Sequence, residues 1–329
     1  MNMEAFVLGS GGTMPLPGRY LTSVLLRREG DLFLFDCGEG TQVSLRKLNL
    51  RWKKISAIFI SHTHADHVTG LPGMLMLTSQ VDRTEPLFII GPPRIKEFVE
   101  SMRGVLEMYI NYEIVVREIE DPSVTQTVFV GDGFSVESIP LRHSRVCVGY
   151  SLTEDSRPGV FHPERAGELG VPRGPDWSRL QRGEAVKASD GTTVRPSDVL
   201  GPPRRGRKVT YVTDSLYFPA IAEAAADSDL FVCEGMVDDE AEESAHTKKH
   251  MTAREAGRLA ALAGGVKRLG LIHFSPRYTK ADLKGLLAEA REEFSDAFLC
   301  RDGQHILLPF EDDEVSKKTP QKLPQKPAE

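Results

Sequence analysis

Three histidines and a carboxylate fall within six positions at His62-Thr63-His64-Ala65-Asp66-His67. Directly before them runs Ala57-Ile58-Phe59-Ile60, an apolar stretch rich in β-branched and aromatic residues that reads as a buried strand. Alternate side chains of an extended chain share a face, so His62 and His64 are expected to point the same way. Asp66 and His67 come just past the strand end, where the chain can turn and present a second set of ligands. Neutral imidazole and carboxylate suit Zn²⁺ and similar divalent ions. Any one of these histidines would suit a core or a surface, but four such groups at this spacing point to a metal.

The 329 residues suffice for a large core in one or two domains. With 40% hydrophobic and 27% charged residues the composition is that of an ordinary soluble protein, without an apolar run that would span a membrane or a secretory signal. Cys37, Cys147, Cys233 and Cys300 are widely spaced and read as buried thiols in a reducing cytosol. A net charge of −6 argues against a nucleic-acid partner, but its distribution does not: residues 156–208 carry 11 Lys+Arg against 6 Asp+Glu, a local +5 on a chain that is otherwise −11. This asymmetry suits a substrate gripped by one basic element.

Along the chain, strands are expected at Phe6–Leu8, Leu21–Leu26, Asp31–Asp36, Pro86–Ile90, Tyr112–Glu118 and Phe134–Leu141, the last running into His143. A helix opens at Gly40-Thr41-Gln42, an apolar one covers Val68–Leu77, and another covers Pro93–Met102. Strands return at Lys208–Asp214, ending in a carboxylate, at Leu230–Glu234, and at Arg268–Phe274, which carries His273. A helix fills Pro219–Ala226, and Thr252-Ala253-Arg254-Glu255 is a capping box opening a helix to Ala263. This alternation predicts sheets covered by helices, an α/β layered architecture. Residues 156–208 break the pattern with seven prolines, eight glycines and weak periodicity, and read as a projecting arm or long loop. The charged, proline-containing stretch 311–329 reads as a disordered tail after a catalytic domain at 1–310.

The motif resembles the HxHxDH signature of the metallo-β-lactamase superfamily, and the chain from about Phe6 to about Pro309 resembles its ribonuclease Z branch. That resemblance implies an αββα four-layer sandwich with a projecting basic arm. It also implies a zinc-dependent endoribonuclease that removes 3′ trailers from precursor tRNA, leaving a 3′-hydroxyl on the tRNA and a 5′-phosphate on the trailer. His143 precedes Gly149-Tyr150, Asp214 closes Tyr211-Val212-Thr213-Asp214, and His273 begins His273-Phe274-Ser275-Pro276-Arg277-Tyr278. These match the family's remaining ligand positions. The resemblance thus implies two Zn²⁺ (or Mn²⁺) per chain, one on His62, His64 and His143, the other on Asp66, His67 and His273, with Asp214 between them. Asp66 would also orient or deprotonate the attacking water, and His250 matches the family's histidine before a helix-opening threonine, the proton donor. A cytoplasmic homodimer, with one subunit's arm reaching tRNA at the other's site, is implied as well. The chain departs from the family pattern at Ala65, at Ser215 and at Cys233-Glu234-Gly235-Met236, which keeps only the glutamate; Glu234 could support His250 by a hydrogen bond. Two rival readings are a general metal-dependent phosphodiesterase or hydrolase of the same superfamily, and an RNA-binding protein with a degenerate site.

Overall fold

In the computed structural model, which describes residues 3–81 and 83–310, two seven-stranded sheets carry the chain. The first runs in the order His305–Leu308, Met3–Gly9, Ser23–Arg28, Asp31–Phe35, Ile55–Phe59, Leu87–Gly91, Ile114–Glu118. The second runs Ala297–Leu299, Leu269–Ile272, Leu230–Glu234, Lys208–Val212, Val146–Glu154, Phe134–Arg142, Gln126–Gly131. In the middle of the first sheet Ile55–Phe59 pairs in parallel with Asp31–Phe35 and Leu87–Gly91. A strand covered on both faces must be apolar throughout, which accounts for its unbroken Ala57-Ile58-Phe59-Ile60.

The two faces of that strand serve different layers. Ile58 and Ile60 join Leu71, Met74, Leu75 and Leu45 in a core beneath the helices Thr41–Lys47 and Leu71–Ser79. Phe59 instead meets Tyr150 of the second sheet at 5.3 Å between ring centroids, and Phe35 meets Tyr211 at 5.7 Å. On the far side of the second sheet, Phe231, Cys233 and Leu271 pack against Ala256, Leu259, Ala222, Leu286 and Ala290 of outer helices. Helix, sheet, sheet, helix is the αββα sandwich. Among the described residues no helix is long and apolar enough to cross a membrane.

Three parallel strands set up the site. Lys208–Val212, Leu230–Glu234 and Leu269–Ile272 are in parallel register, so their carboxyl ends lie along one edge. Asp214, Glu234 and His273 come from that edge, in the position where ligands collect in parallel sheets.

The structure corrects two expectations from the sequence. Val68–Leu77 is not one helix: Ala65–Val68 and Leu71–Ser79 are separated at Gly70, whose N–H donates to the Cys37 carbonyl at 2.8 Å. A Cβ on Gly70 would collide with the Gly38 carbonyl oxygen, so the close approach requires glycine. The arm is not a long loop. Residues 131–134 and 153–207 form a compact unit distinct from 3–130, 135–152 and 208–310. It holds short helices at Pro163–Glu168, Pro175–Gln181 and Pro196–Val199 and a hairpin of Val186–Lys187 with Thr193–Val194. Ala166, Val171, Leu180, Val186, Val194 and Val199 form its own small core, with Trp177 packed against it and donating Nε1–H to the Val171 carbonyl at 2.9 Å. Glu154 and the buried Arg207 pair at 2.8 Å within this unit. The elements are too short for periodicity to register. The tail read at 311–329 lies outside the described residues.

A core this small depends on each side chain. Truncating a fully buried leucine costs about 2–5 kcal/mol. Leu180→Ala is therefore expected to abolish amide-exchange protection across 160–200 while leaving protection in Ile55–Phe59 and Lys208–Val212 unchanged. Global unfolding at the same threshold would show that the arm does not open independently.

Candidate metal centre

The turn after Ile55–Phe59 is built around Asp36. This residue follows the strand Asp31–Phe35 with φ +54°, in the left-handed region that Asp tolerates better than most residues. Its carboxylate is fully buried and accepts four hydrogen bonds. Ser61 N–H donates to Oδ1 at 2.7 Å; Ser61 Oγ, Tyr211 Oη and His67 Nδ1 donate to Oδ2 at 2.8, 2.7 and 2.8 Å.

These bonds decide tautomers. With Nδ1–H committed to Asp36, His67 turns Nε2 into the cluster, and that buried atom has no hydrogen-bond partner. Ser61 has given its hydroxyl proton to Asp36, so its oxygen accepts from Nδ1–H of His62 at 3.0 Å, again leaving Nε2 free. His143 Nδ1–H donates to the Lys249 carbonyl at 2.9 Å, with the same result. The freed Nε2 atoms of His62 and His143 lie 2.9 and 3.1 Å from His64 Nδ1. That single nitrogen can donate to at most one of them, so lone pairs converge there, an arrangement that a cation satisfies.

Side-chain donor atoms gather within 4.8 Å of one another in three groups here: His62, His64, His143 and Asp214; Asp66, His67 and His273; and Asp214, Glu234, His250 and His273. Asp214 turns one oxygen to each side. Its Oδ2 is 3.7 Å from both His62 Nε2 and His143 Nε2, and its Oδ1 is 3.2 Å from both His67 Nε2 and His273 Nε2. Asp66 Oδ2 accepts from Thr13 N–H at 2.6 Å and lies 3.3 Å from His273 Nε2. His273 itself has φ +62°, a strained position for a non-glycine residue of the kind that persists at functional sites.

Electrostatics divide the histidines. Burial, with His67 adding to it, holds His62 well below the usual range, and burial likewise lowers His64 and His143. Burial also opposes charge on His67, His273 and His250, but carboxylates outweigh it. Asp214 and Asp36 hold His67 well above its ordinary value, Asp214 and Asp66 raise His273 to about 10, and Glu234 raises His250. Asp214 is well below the carboxylate range, its own burial being outweighed by His273 and His67. The carboxylates thus demand positive charge, and protons on His67 and His273 stand where divalent ions would supply it. The donor set fits metal ions.

All eight site residues expected from the sequence, His62, His64, Asp66, His67, His143, Asp214, His250 and His273, fall within this one cluster. His250 Nδ1 is 2.9 Å from Glu234 Oε2, and Glu234 Oε1 accepts from Ser215 N–H at 2.6 Å. His246 lies apart on Glu255 at 2.8 Å. The sequence reading missed Asp36, although a carboxylate closing an apolar strand before Gly38-Glu39-Gly40 was available as a signal. It also missed Thr13, Ser144 and Lys248, which line the open cavity of about 460 Å³ over the cluster.

Comparison with known proteins now bears on this geometry. The family described as Anti-Pycsar protein Apyc1 matches residues 3–156. Ribonuclease Z of Treponema denticola is 60% identical over 312 residues, covering 95% of this chain and 100% of the relative. Ribonuclease Z of Borrelia garinii subsp. bavariensis is 42% identical over 311 residues, covering 93% and 97%. The chain belongs to the ribonuclease Z family. It is accordingly an endoribonuclease that hydrolyses phosphodiester bonds. Among solved structures, the short form of human tRNase Z superimposes with a TM-score of 0.68 at 25% identity, covering 93% of this chain and 100% of that one. YhfI of Bacillus subtilis, a metallo-β-lactamase fold protein, gives 0.64 at 20% identity over 93% and 100%, a likeness of fold alone.

For this ribonuclease Z family member Asp36 should matter through His67, the ring that it orients. Residues that orient metal-binding histidines typically contribute 10- to 100-fold in metal affinity. Asp36→Ala is expected to weaken Zn²⁺ binding by about that factor, as read by competition with a chromophoric chelator. Unchanged affinity would show that the His67 tautomer does not depend on it.

Proposed function

We propose that the chain carries out endonucleolytic removal of 3′ trailers from precursor tRNA at two divalent ions. His62, His64 and His143 would hold one ion, Asp66, His67 and His273 the other, and Asp214 would touch both. The observation that carries this reading is the division of Asp214, one oxygen toward each histidine group at 3.7 and 3.2 Å. Imidazole with carboxylate favours zinc among the available ions, with manganese the alternative. When bound, such a pair polarises a phosphodiester and makes water a nucleophile near neutral pH.

The chain's own residues supply the remaining steps. Asp66, held by Thr13 N–H, orients the attacking water and takes its proton. His250 delivers a proton to the departing 3′-oxygen of the tRNA. Glu234 retains the Nδ1 proton of His250, so the proton that moves is on Nε2. Burial opposes charge on His250, and Glu234 outweighs it and raises the pKa above the ordinary value, the direction that a proton donor needs. The same reading includes precursor tRNA gripped by the basic arm through its phosphates, a homodimer, and a cytoplasmic setting.

His250→Ala is expected to slow single-turnover cleavage by roughly 10²–10⁴-fold at normal metal content. Because His250 acts protonated, its rate contribution is lost as pH rises through its pKa. Glu234→Gln lowers that pKa and should move the alkaline limb of the pH–rate profile to lower pH. A wild-type rate in His250→Ala, or an unmoved limb in Glu234→Gln, would remove the pair from proton transfer.

The second reading, a general phosphodiesterase, is favoured by the openness of the cavity to small esters. The arm separates the two. Arg157 and Arg204 exchange backbone hydrogen bonds at 2.7 and 2.9 Å, which marks where it can be excised. Replacing 158–203 with a short Gly/Ser linker should leave hydrolysis of bis-p-nitrophenyl phosphate within a few-fold. Precursor-tRNA binding should weaken by about ten-fold or more, ~1.4 kcal/mol. Normal tRNA cleavage by the excised protein would favour the general phosphodiesterase.

A further inference from the structure

Beside the catalytic cavity lies a second one, of about 290 Å³, lined by Thr63, Arg94, Glu97, Phe98, Ser101 and Arg145. The two cavities share their dividing loops. His64 and Ser144 line the first, and their chain neighbours Thr63 and Arg145 line the second. Adjacent Cα atoms are about 3.8 Å apart, so the two cavities lie close to one another.

The chemistry of the second cavity is that of a nucleotide site. Arg145 is exposed and has no ion-pair partner among the described residues. Arg94 is paired with Glu97 at 2.9 Å, which leaves Arg145 as the uncompensated charge. The helix Ile95–Val105 opens here, but Glu118 Oε1 already accepts from Arg94 N–H and Lys96 N–H at 2.7 and 3.3 Å, so the helix terminus holds no place for an anion. Phe98 is half-buried and offers a ring to the cavity wall. A free guanidinium beside an aromatic ring and a serine hydroxyl suits a phosphate and an unstacked base together.

Its position selects which part of the RNA. His250, the donor to the tRNA 3′-oxygen, contacts His143 at 5.0 Å between ring centroids, and His143 contacts His64 at 4.9 Å. The second cavity is lined by Thr63 and Arg145, next in the chain to His64 and Ser144, whereas His250 lines only the first. An acceptor stem is duplex up to its unpaired 3′ end, whereas a trailer is single-stranded along its length. We propose that this cavity is a subsite for the 3′ trailer, with the phosphate after the scissile one on Arg145 and the adjoining base against Phe98.

The proposal rests on the family's reaction as read above, and two kinds of substrate keep the two apart. Precursor tRNAs with one-nucleotide and eight-nucleotide trailers are cleaved by the wild-type protein, Arg145→Ala, Arg145→Lys and Phe98→Leu, the last keeping its packing while losing the ring. Arg145→Ala and Phe98→Leu should raise KM for the eight-nucleotide trailer about five-fold or more, with kcat within two-fold. Arg145→Lys should recover most of that loss, since a phosphate accepts either cation. KM for the one-nucleotide trailer, which lacks the second phosphate, should not respond to Arg145→Ala. An unchanged KM on the long trailer, or an equal rise on both, overturns the proposal. Should the wild type cleave neither precursor, the reading of the reaction fails. Anisotropy of a fluorescein-labelled eight-nucleotide RNA then decides the cavity: weaker binding in Arg145→Ala upholds it, and equal binding overturns it.

Discussion

Four hydrogen bonds to one buried carboxylate, Asp36, hold the two sheets in register at the point where chemistry happens. Ser61 and His67 belong to the chain leaving the first sheet, and Tyr211 belongs to a strand of the second. An ionised carboxylate cannot be buried without such partners, because the desolvation cost is several kcal/mol or more. The demand runs both ways: Tyr211 Oη, Ser61 N–H and His67 Nδ1–H would be equally costly left alone. The αββα packing therefore cannot close with Asp36 unsatisfied, and once it is satisfied His67 and, through Ser61, His62 have fixed tautomers.

Everything at the mouth of the sheets inherits that order. Nε2 atoms of His62 and His143 are left as lone pairs pointing inward, while Asp66, Asp214 and Glu234 bring negative charge to the same volume. Lone pairs and carboxylates held together repel unless positive charge lies among them. In the bare protein the carboxylates answer this by raising the pKa values of His67, His273 and His250 above the ordinary range. The site is thus built with a charge deficit, and two residues beside it, His273 and Asp36, are held at positive φ.

The metal motif was legible because its residues are adjacent in sequence and follow an apolar strand whose period is plain. His143, Asp214 and His273 lie on distant strands, and only family resemblance connected them before the sheets did. Asp36 escaped because a single carboxylate closing a strand is a signal that does not say what the carboxylate holds; its role exists only once Tyr211 arrives from the other sheet. The break at Gly70 escaped for a related reason, since apolar composition runs through Val68–Leu77 while the Gly38 carbonyl that forbids a side chain comes from a loop far back in the chain. Residues 156–208 read as a projecting arm or long loop without elements of their own because the helices there span only a few residues each, too few to display a face. Its charge, which needs no periodicity, was readable from composition.

In the reaction proposed for this cluster, water attacks a phosphodiester and the tRNA 3′-oxygen leaves. Mapping both product ends after incubating the zinc-loaded protein with a 3′-extended precursor tRNA tests it most directly. One cut leaving a 3′-hydroxyl on the tRNA and a 5′-phosphate on the trailer is the expected result. A 2′,3′-cyclic phosphate on the tRNA, which requires attack by the ribose 2′-hydroxyl in place of water, would contradict it.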